Sequence, residues 1–384
     1  MIVLGSTGSV GEQAIDIAQK QGVCVNAISA NKNSVRAEQQ ARQFSVRACA
    51  MRDENSAKDL KERLSDTSIK VYAGIDGICE MIHSTGSDNE AGQIVENSIL
   101  GEAGLLPTVE TLKSGKRLAL ANKESLVAGG EIVMRLAKDA GTTILPVDSE
   151  HCAIFQCLRS GNPNEIKKII LTASGGPFFG YTKEQLKGIT VESALAHPTW
   201  KMGAKITIDS STLMNKGFEV IEAVHLFGVS PEKIQVTVHK ESIIHSAVEY
   251  IDNSVIAQMS LPDMRHCVQY ALTHPLRTEG PTEELDLFKL GKMTFFEPDM
   301  QTFPLLRLAY DSISAGGAVP AVLNASNEEA VDAFLSHKIS YPEIAEIVGN
   351  TVERLSCAKD IHSLNGIFEA SNRAREISRA LIKK

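Results

Sequence analysis

Short apolar runs alternate with amphipathic stretches over residues 1–147 of this chain. The runs are too short for helices and are bounded by turn residues, which predicts β-strands at 2–4, 23–29, 46–51, 69–73, 94–97, 117–121 and 142–147. Between them, apolar positions recur with helical spacing near 11–20, 33–43, 54–64, 103–115 and 124–139. This alternation is typical of βαβ units and predicts a doubly wound, Rossmann-like parallel sheet.

The pattern changes after residue 147. Helix signals at 151–159, 183–188 and 216–227 mix with strand-like runs at 166–172, 235–238, 242–248 and 254–260. The last three runs alternate apolar and polar residues, as in a half-buried antiparallel sheet. Proline and glycine between 270 and 300 indicate a linker, and the pattern from about 303 onward is helical.

We therefore expect an α/β protein with four consecutive parts. They are a nucleotide-binding domain at 1–147, an α+β catalytic domain at 148–270 with a loop near 194–203, a linker at 271–300 and a C-terminal helical bundle at 301–384. A chain of 384 residues is too long for one ordinary hydrophobic core, in agreement with several domains.

Composition narrows the possible partners. The net charge of −8 gives no support for a nucleic-acid or membrane partner, and we expect a small-molecule ligand. No apolar run approaches the roughly 20 residues that span a bilayer. The seven cysteines are scattered without C-x-x-C spacing, which predicts reduced thiols and a cytoplasmic location.

A glycine-rich turn, Gly5-Ser-Thr-Gly8-Ser-Val-Gly11, follows the first predicted strand and opens the first predicted helix. Such a turn lets the backbone approach a dinucleotide, and the helix N-terminus offers N–H groups to a phosphate. An ordinary glycine turn is the alternative. The second strand ends in a segment that contains Lys32 and no acid to accept the ribose hydroxyls of NAD, which favours NADP.

Two acids, Asp148 and Glu150, follow the run at 142–147. If that run is a strand, side chains two residues apart point the same way, at the carboxyl end where α/β sheets bind ligands. Two adjacent carboxylates repel each other unless a proton or cation lies between them. A solvated loop is the alternative. Lys123 follows another strand of the same sheet and could bind a ligand or remain a solvated lysine.

Donor groups for an anion cluster further along the chain. Ser174 lies in a Ser-Gly-Gly turn, which can form an anion nest or be an ordinary Gly-Pro turn. Ser210, Asn215 and Lys216 combine neutral donors with one positive charge, as suits a phosphate monoester. Trp200 is the only tryptophan, and on its loop it could cover a substrate or pack in a core.

Glu219 lies one helical turn after Lys216, where a salt bridge is the alternative to a ligand role. With Asp148 and Glu150 it makes three hard oxygen ligands, which suit Mg²⁺ or Mn²⁺ better than a structural zinc. Three histidines (His197, His239 and His245) could each be a satisfied core or surface histidine, and the apolar neighbours of His245 favour that interpretation for it.

These motifs, in this order, resemble those of 1-deoxy-D-xylulose 5-phosphate reductoisomerase of the non-mevalonate isoprenoid pathway. The resemblance runs through G-S-T-G-S-V-G, A-N-K-E-S-L, P-V-D-S-E-H, L-T-A-S-G-G-P-F, H-P-T-W-K-M-G and D-S-S-T-L-M-N-K-G-F-E-V-I-E-A. It continues in P-D-M-R, F-P-L-L-R-L-A-Y and V-L-N-A-S-N-E-E-A-V. It implies an enzyme dependent on NADPH and on Mg²⁺ or Mn²⁺. Such an enzyme rearranges 1-deoxy-D-xylulose 5-phosphate to an aldehyde and reduces it to 2-C-methyl-D-erythritol 4-phosphate, and the family suggests a homodimer.

The resemblance also implies roles for individual residues. The metal ligands would be Asp148, Glu150 and Glu219, with Lys123 and His197 as further catalytic residues. The implied substrate-binding residues are Ser149, Glu150, Ser174, His197, Trp200, Met202, Ser210, Asn215, Lys216 and Glu219, of which Trp200 and Met202 belong to a closing flap. The implied cofactor-binding residues are Ser6, Thr7, Gly8, Ser9, Val10, Ala30, Asn31, Lys32, Asn33, Asn122, Glu124 and Gly203.

The chain departs from the commoner family residues at Phe179, Lys201, Ser211, Phe218 and the His266-Cys267 pair. None of these is an implied ligand, so the departures concern the flap and local packing. Two other functions remain as alternatives. A metal-dependent sugar-phosphate aldolase would release two fragments without consuming NADPH. A catalytically silent NADP-sensing or scaffold protein would be expected to lose the carboxylates first, and all three are present.

Overall fold

The computed structural model describes residues 1–85, 93–200 and 202–383, so Lys201, one of the departures from the family, lies outside the described residues. The chain divides into two compact units. The first comprises Met1–Ser125, Val133–Cys152 and Asp263–Glu283, and the second Leu126–Ile132, Ala153–Pro262 and Glu284–Lys384. None of the described helices is both long and apolar enough to cross a membrane.

The described residues contain eleven strands in two sheets. They are β1 (Ile2–Leu4), β2 (Ala27–Ala30), β3 (Ala48–Met51), β4 (Lys70–Ala73), β5 (Ile94–Asn97), β6 (Arg117–Leu120), β7 (Ile144–Pro146), β8 (Ile166–Ala173), β9 (Ile234–Val238), β10 (Ile244–Tyr250) and β11 (Val255–Met259). The first unit contains a parallel sheet in the order β4-β3-β2-β1-β5-β6-β7. The order reverses between β1 and β5, and ligands bind at such a switch point. The predicted doubly wound sheet is confirmed.

Helices connect these strands and form the C-terminal part of the chain. They are α1 (Ser9–Lys20), α2 (Ser34–Gln43), α3 (Glu54–Arg63), α4 (Gly74–Ser84), α5 (Leu105–Lys113), α6 (Lys123–Asp139), α7 (Ser149–Cys157), α8 (Lys183–Leu186), α9 (Val191–Leu195), α10 (Ala204–Ser211), α11 (Met214–Phe227), α12 (Arg265–Thr273), α13 (Leu287–Leu290), α14 (Leu305–Ala315), α15 (Val319–Leu335), α16 (Tyr341–Arg354) and α17 (Leu364–Ile382). In the second unit α15 packs against α14, α16 and α17, which is the expected helical bundle.

The second sheet differs in one respect from the antiparallel sheet predicted for the middle region. Its order is β11-β10-β8-β9, and β10 is antiparallel to both β8 and β11. However, β9 pairs with β8 in parallel. The residues between β8 and β9 form helices α8 to α11, and a long helical connection of this kind allows two strands to run in the same direction.

Helix α4 was not among the predicted helices. Its first turn contains Gly74 and Gly77, and glycine weakens the helix signal. Burial compensates for this, because Ile78, Met81 and Ile82 enter the core cluster on one face of the parallel sheet. Packing of its apolar face, and not local propensity, therefore accounts for this helix.

One carboxyl group lies inside the first unit. Glu96, in the interior strand β5, is fully buried, and Ser98 Oγ lies 3.1 Å from its Oε2. Among the described residues its Oε1 has no hydrogen-bond partner. Burial raises the pKa of Glu96 from 4.5 to about 8, although the contact with Ser98 opposes the shift. The group is therefore protonated at neutral pH.

We expect Glu96 to make the stability of the protein dependent on pH. A carboxyl whose pKa is higher in the folded state favours unfolding as it ionises, so stability falls as the pH rises from about 4.5 towards about 8. The loss reaches on the order of 3 kcal/mol at neutral pH. In Glu96→Gln, the free energy of unfolding, measured with denaturant at several pH values, should lose this slope with pH. An unchanged slope would contradict the assignment.

Candidate active site

The glycine-rich turn folds back onto the first turn of α1. The N–H groups of Gly5 and Ser6 both donate to Ser29 O, at 3.0 and 2.8 Å, which ties the turn to β2. Gly5 has φ +86°, a conformation that favours glycine. A Cβ on Gly11 would lie 2.2 Å from Gly5 O, so only glycine allows this approach.

The turn presents backbone to solvent at the end of β1. Gly8 and Ser9 are exposed, Thr7 and Val10 are half-buried, and no side chain among the described residues caps the N-terminus of α1. Ser6 is buried, and its Oγ has no hydrogen-bond partner among the described residues. Uncapped N–H groups beside a glycine turn suit the phosphates of a dinucleotide.

The segment after β2 shows the side chains expected for an extra phosphate. Ala30 is buried in the strand, while Asn31, Lys32 and Asn33 are exposed. The Asn33 side chain caps α2 by accepting from Arg36 N at 3.0 Å. Lys32 supplies the one ammonium group of residues 30–33, and none of these four residues is acidic.

Asn122 and Glu124 have extensive structural contacts. The Asn122 side chain caps α6 by accepting from Ser125 N at 2.9 Å. Its amide donates to Ile99 O, Gly101 O and Glu124 Oε2, at 2.6 to 2.9 Å. Both side chains are buried. They fix the loop that follows β5, and their assignment to the cofactor stays a prediction.

Asp148 caps a helix and does not continue a strand as the alternation argument assumed. Strand β7 ends at Pro146 and α7 begins at Ser149. Asp148 Oδ1 accepts from the backbone N–H groups of Glu150 and His151, at 3.1 and 3.2 Å. Helix geometry, instead of strand alternation, brings oxygens of Asp148 and Glu150 within 4.8 Å of one another at the carboxyl end of β7.

Two basic groups flank the Asp148 carboxylate. Lys123 Nζ donates to Oδ2, and His151 Nδ1 donates to Oδ1 at 2.9 Å. Burial, the largest influence, would raise the pKa of Asp148, but Lys123 and His151 outweigh it and hold the pKa well below its ordinary value. The carboxylate is therefore charged and available as a ligand. Ser149 Oγ donates to Glu150 Oε2 and orients that second carboxylate.

Sequence reasoning did not select His151, although the signal was available. It lies three residues after Asp148, and in a helix this spacing brings the imidazole of the third residue back to the capping carboxylate. The ring is fully buried. It fixes the orientation of Asp148.

In the second unit, α11 carries the predicted cluster of Asn215, Lys216 and Glu219. Asn215 Nδ2 donates to Glu219 Oε1 at 2.6 Å, and Lys216 Nζ forms an ion pair with Oε2. The salt bridge considered as an alternative is therefore present, but its two side chains are only 6% and 1% exposed. An ordinary surface salt bridge leaves both side chains exposed to solvent. Burial of both charged groups is more typical of a binding site.

The Ser174 turn and the end of α10 lie against each other in the same unit. Gly176 has φ +67°, and a Cβ there would lie 2.8 Å from Ser210 O. His197 Nε2 lies 3.1 Å from Ser174 Oγ. His197 Nδ1 accepts from the N–H groups of Thr199 and Trp200, at 3.2 and 2.9 Å, so its proton is on Nε2. Burial lowers the pKa of His197, which favours this neutral form.

The remaining predicted residues of the second unit lie on the loop before α10. Trp200 and Met202 are half-buried, and Gly203 is exposed at the N-terminus of α10. The Trp200 ring lies 6.3 Å from that of His245, edge to face. His245 itself is buried and bonded to Ser260 O, as expected of a satisfied core histidine.

His239 is also fully buried and satisfied. Its Nδ1 lies 3.0 Å from Thr294 O, and its Nε2 accepts from the N–H groups of Ile243 and Ile244. It fixes a chain turn and needs no ligand.

Comparison with known proteins identifies the family. Family models of 1-deoxy-D-xylulose 5-phosphate reductoisomerase match residues 1–130 and, for its C-terminal domain, 144–227, and a further DXP reductoisomerase C-terminal domain matches 259–377. A 1-deoxy-D-xylulose 5-phosphate reductoisomerase from Acetivibrio thermocellus is 49% identical over 381 residues, which cover 99% of this chain and 98% of the relative. This chain belongs to the 1-deoxy-D-xylulose 5-phosphate reductoisomerase family.

Solved structures of reductoisomerases extend the similarity to three dimensions. The enzyme from Zymomonas mobilis in complex with NADPH has a TM-score of 0.92 and 42% identity, covering 100% of this chain and 98% of that one. A DOX-P reductoisomerase in complex with NADPH, fosmidomycin and magnesium has a TM-score of 0.93 and 36% identity, with the same coverage. The fold is thus that of the reductoisomerases.

Proposed function

We propose that this protein is an NADPH- and metal-dependent enzyme that converts 1-deoxy-D-xylulose 5-phosphate to 2-C-methyl-D-erythritol 4-phosphate in isoprenoid precursor biosynthesis. Membership of the reductoisomerase family over essentially the whole chain is the observation that carries this function. The relatives' structures with NADPH and with magnesium support both cofactors. The substrate's carbon skeleton rearranges to an aldehyde, and reduction of that aldehyde consumes NADPH.

We assign the metal to Asp148, Glu150 and Glu219. The first two bring carboxyl oxygens together at the end of β7, and the third has a buried carboxyl group on α11. Such hard oxygen ligands fit Mg²⁺ or Mn²⁺. When bound, the ion would act as a Lewis acid for the substrate's ketone and hydroxyl oxygens. Lys123 and Lys216, which form ion pairs with two of the carboxylates, would hold these side chains in place before the ion binds.

We assign substrate contacts to the residues that the family resemblance implies. Ser149 and Lys123 would contact its carbon chain. Ser174, Ser210, Asn215 and Lys216 would bind its phosphate, because they combine hydroxyl, amide and ammonium donors. His197 supports this role, since its Nε2–H points at Ser174 Oγ and leaves the Ser174 hydroxyl proton for a ligand.

We assign the cofactor to the first unit and the flap to the loop before α10. The turn from Ser6 to Val10 would hold the NADPH phosphates, and the segment from Ala30 to Asn33 the adenosine end. Asn122, Glu124 and Gly203 would complete the cofactor site. Trp200 and Met202 would close over the substrate and exclude water, which prevents loss of reactive fragments. In functional terms, 1–147 would bind NADPH, 148–270 would carry the catalytic, metal and dimer functions with the flap near 194–203, 271–300 would be a linker, and 301–384 a helical domain.

The first test is NADPH consumption. With 1-deoxy-D-xylulose 5-phosphate, NADPH and Mg²⁺ or Mn²⁺, we expect the absorbance of NADPH to decay, and excess EDTA should stop the decay until metal is restored. An aldolase would yield two fragments without this decay, and a silent sensor would bind NADPH without turnover. Either result would refute the reductoisomerase assignment.

We also propose that the enzyme is a cytoplasmic homodimer. Strand β11 lies at the edge of the second sheet, where Val255 and Ile256 are exposed. An open sheet edge with apolar side chains can pair with a second chain. Seven free cysteines support the reducing location. Light scattering should give twice the mass of one chain at micromolar concentration, and a monomer mass would contradict the dimer.

A further inference from the structure

The proposed function gives no role to the start of α16, whose first residue, Tyr341, is buried. The two clusters proposed to bind the substrate phosphate, the Ser174 turn and the end of α10, are joined by close backbone contact at Gly176 and Ser210. The side chains packed against both segments help to fix their spacing. Among the described contacts, those of Tyr341 connect to α10 and to the residue after the Ser174 turn.

Tyr341 touches both segments. Its hydroxyl donates to Ser211 O, in the last turn of α10, at 2.8 Å. Its ring meets the Phe178 ring edge to face, with centroids 5.3 Å apart, and Phe178 follows the Ser174 turn directly. Tyr341 is 4% exposed, so it is part of the buried interior of this unit. One rigid side chain thus spans the backbone supports of both donor clusters.

Tyr341 is itself held firmly. Ser340 and Glu343 form a capping box at the start of α16, with Ser340 N donating to Glu343 Oε2 at 2.6 Å. The Phe334 ring of α15 packs against the Tyr341 ring at 5.8 Å. A further buried hydrogen bond, Asn327 Nδ2 to Asp209 Oδ1 at 2.7 Å, ties α15 to α10.

We propose that Tyr341 is a positioning residue for substrate phosphate, holding the Ser174 turn and the end of α10 at the spacing that one phosphate group requires. This inference rests on the proposed function. It gives the C-terminal helices a part in substrate affinity, although Tyr341 does not touch the substrate. Because it acts through Ser174 and Ser210, its loss should weaken binding of the phosphate and leave the rearrangement and reduction steps unchanged.

The test is Tyr341→Phe, which removes only the hydroxyl. Loss of one buried hydrogen bond of this kind should raise KM for 1-deoxy-D-xylulose 5-phosphate on the order of fivefold. We expect kcat and KM for NADPH to stay within about twofold of the wild type. The substitution should weaken binding of the substrate and of the transition state equally. A merely structural role would lower the melting temperature without this split.

Tyr310→Phe is the matched control. Tyr310 also donates from its hydroxyl to a backbone carbonyl, Ile234 O at 2.8 Å, in the same unit, and it contacts neither donor cluster in any described hydrogen bond. The two variants should lose similar stability, and only Tyr341→Phe should change KM for the substrate. Equal KM values in the two variants, or a fall in kcat alone, would overturn the proposal.

A second variant covers the case in which Tyr341→Phe does not fold. Phe178→Leu keeps an apolar side chain but loses the edge contact with the Tyr341 ring, and it should raise the same KM by about twofold to fivefold. An unchanged KM would also overturn the proposal. Turnover by the wild type separates this test from the proposed function: an inactive wild type refutes the function, while an active wild type with unaffected variants refutes only the role of Tyr341.

Discussion

Glu219→Gln is expected to reduce kcat on the order of a thousandfold, about 4 kcal/mol in transition-state stabilisation, while NADPH binding is retained. The substitution preserves the shape of the side chain and its contact with Asn215. It removes the negative charge that we assign to the metal. The measurements are kcat with saturating Mg²⁺, Mn²⁺ affinity, and the dissociation constant of NADPH from its fluorescence.

The same substitution also removes the buried ion pair between Lys216 and Glu219, which could cost about 3 to 5 kcal/mol of stability. The double variant Lys216→Met, Glu219→Gln separates the two effects, because it should recover stability without recovering Mn²⁺ affinity, a readout that does not depend on the phosphate role assigned to Lys216. Glu222→Gln, a neutralised buried glutamate on the same helix, controls for charge loss and should keep Mn²⁺ affinity. If Glu219→Gln lost NADPH binding and turnover equally, the residue would be holding up the fold instead.

Local sequence was sufficient to predict the parallel sheet, because its buried strands are short apolar runs separated by amphipathic helices. Local sequence was not sufficient where tertiary packing determines the structure. Helix α4 has two glycines in its first turn, and its burial against the sheet is what stabilises it. The parallel partner of β9 depends on a connection through four helices, which no alternation of apolar and polar residues within β9 encodes.

The candidate site shows the same division. The types of side chain were evident from sequence, since hard oxygens and phosphate donors are chemically distinctive. The hydrogen-bond and ion-pair partners of these side chains were not evident from the sequence. The contact of Lys123 with Asp148 joins residues 25 apart, and that of Tyr341 with Ser211 joins residues 130 apart. Such pairs follow from the tertiary fold. The sequence argument correctly expected Asp148 and Glu150 to lie close together, but it assumed that both continue a strand. Asp148 instead caps a helix, and this cap brings the two residues together.

Gly11→Ala is expected to weaken NADPH binding roughly tenfold to a hundredfold, because the turn would have to move by more than an ångström to admit a methyl group. The new Cβ would lie 2.2 Å from Gly5 O and 2.8 Å from Ser6 Cα. Neighbouring backbone restrains the turn from moving away from this methyl group. Gly5 N and Ser6 N are bound to Ser29 O, and Gly5 itself lies against the backbone of Ser98.

The measurement is the dissociation constant of NADPH, with KM for NADPH as a second readout. Gly349→Ala is the control, since a Cβ there would meet nothing within 4 Å. Metal affinity should change little in Gly11→Ala, because the substitution leaves Asp148, Glu150 and Glu219 in place. Glu219→Gln should show the reverse pattern, with metal affinity lost and NADPH affinity kept. If Gly11→Ala kept full NADPH affinity in a folded protein, the cofactor phosphates would have to bind away from this turn, and the NADPH assignment of the first unit would fail.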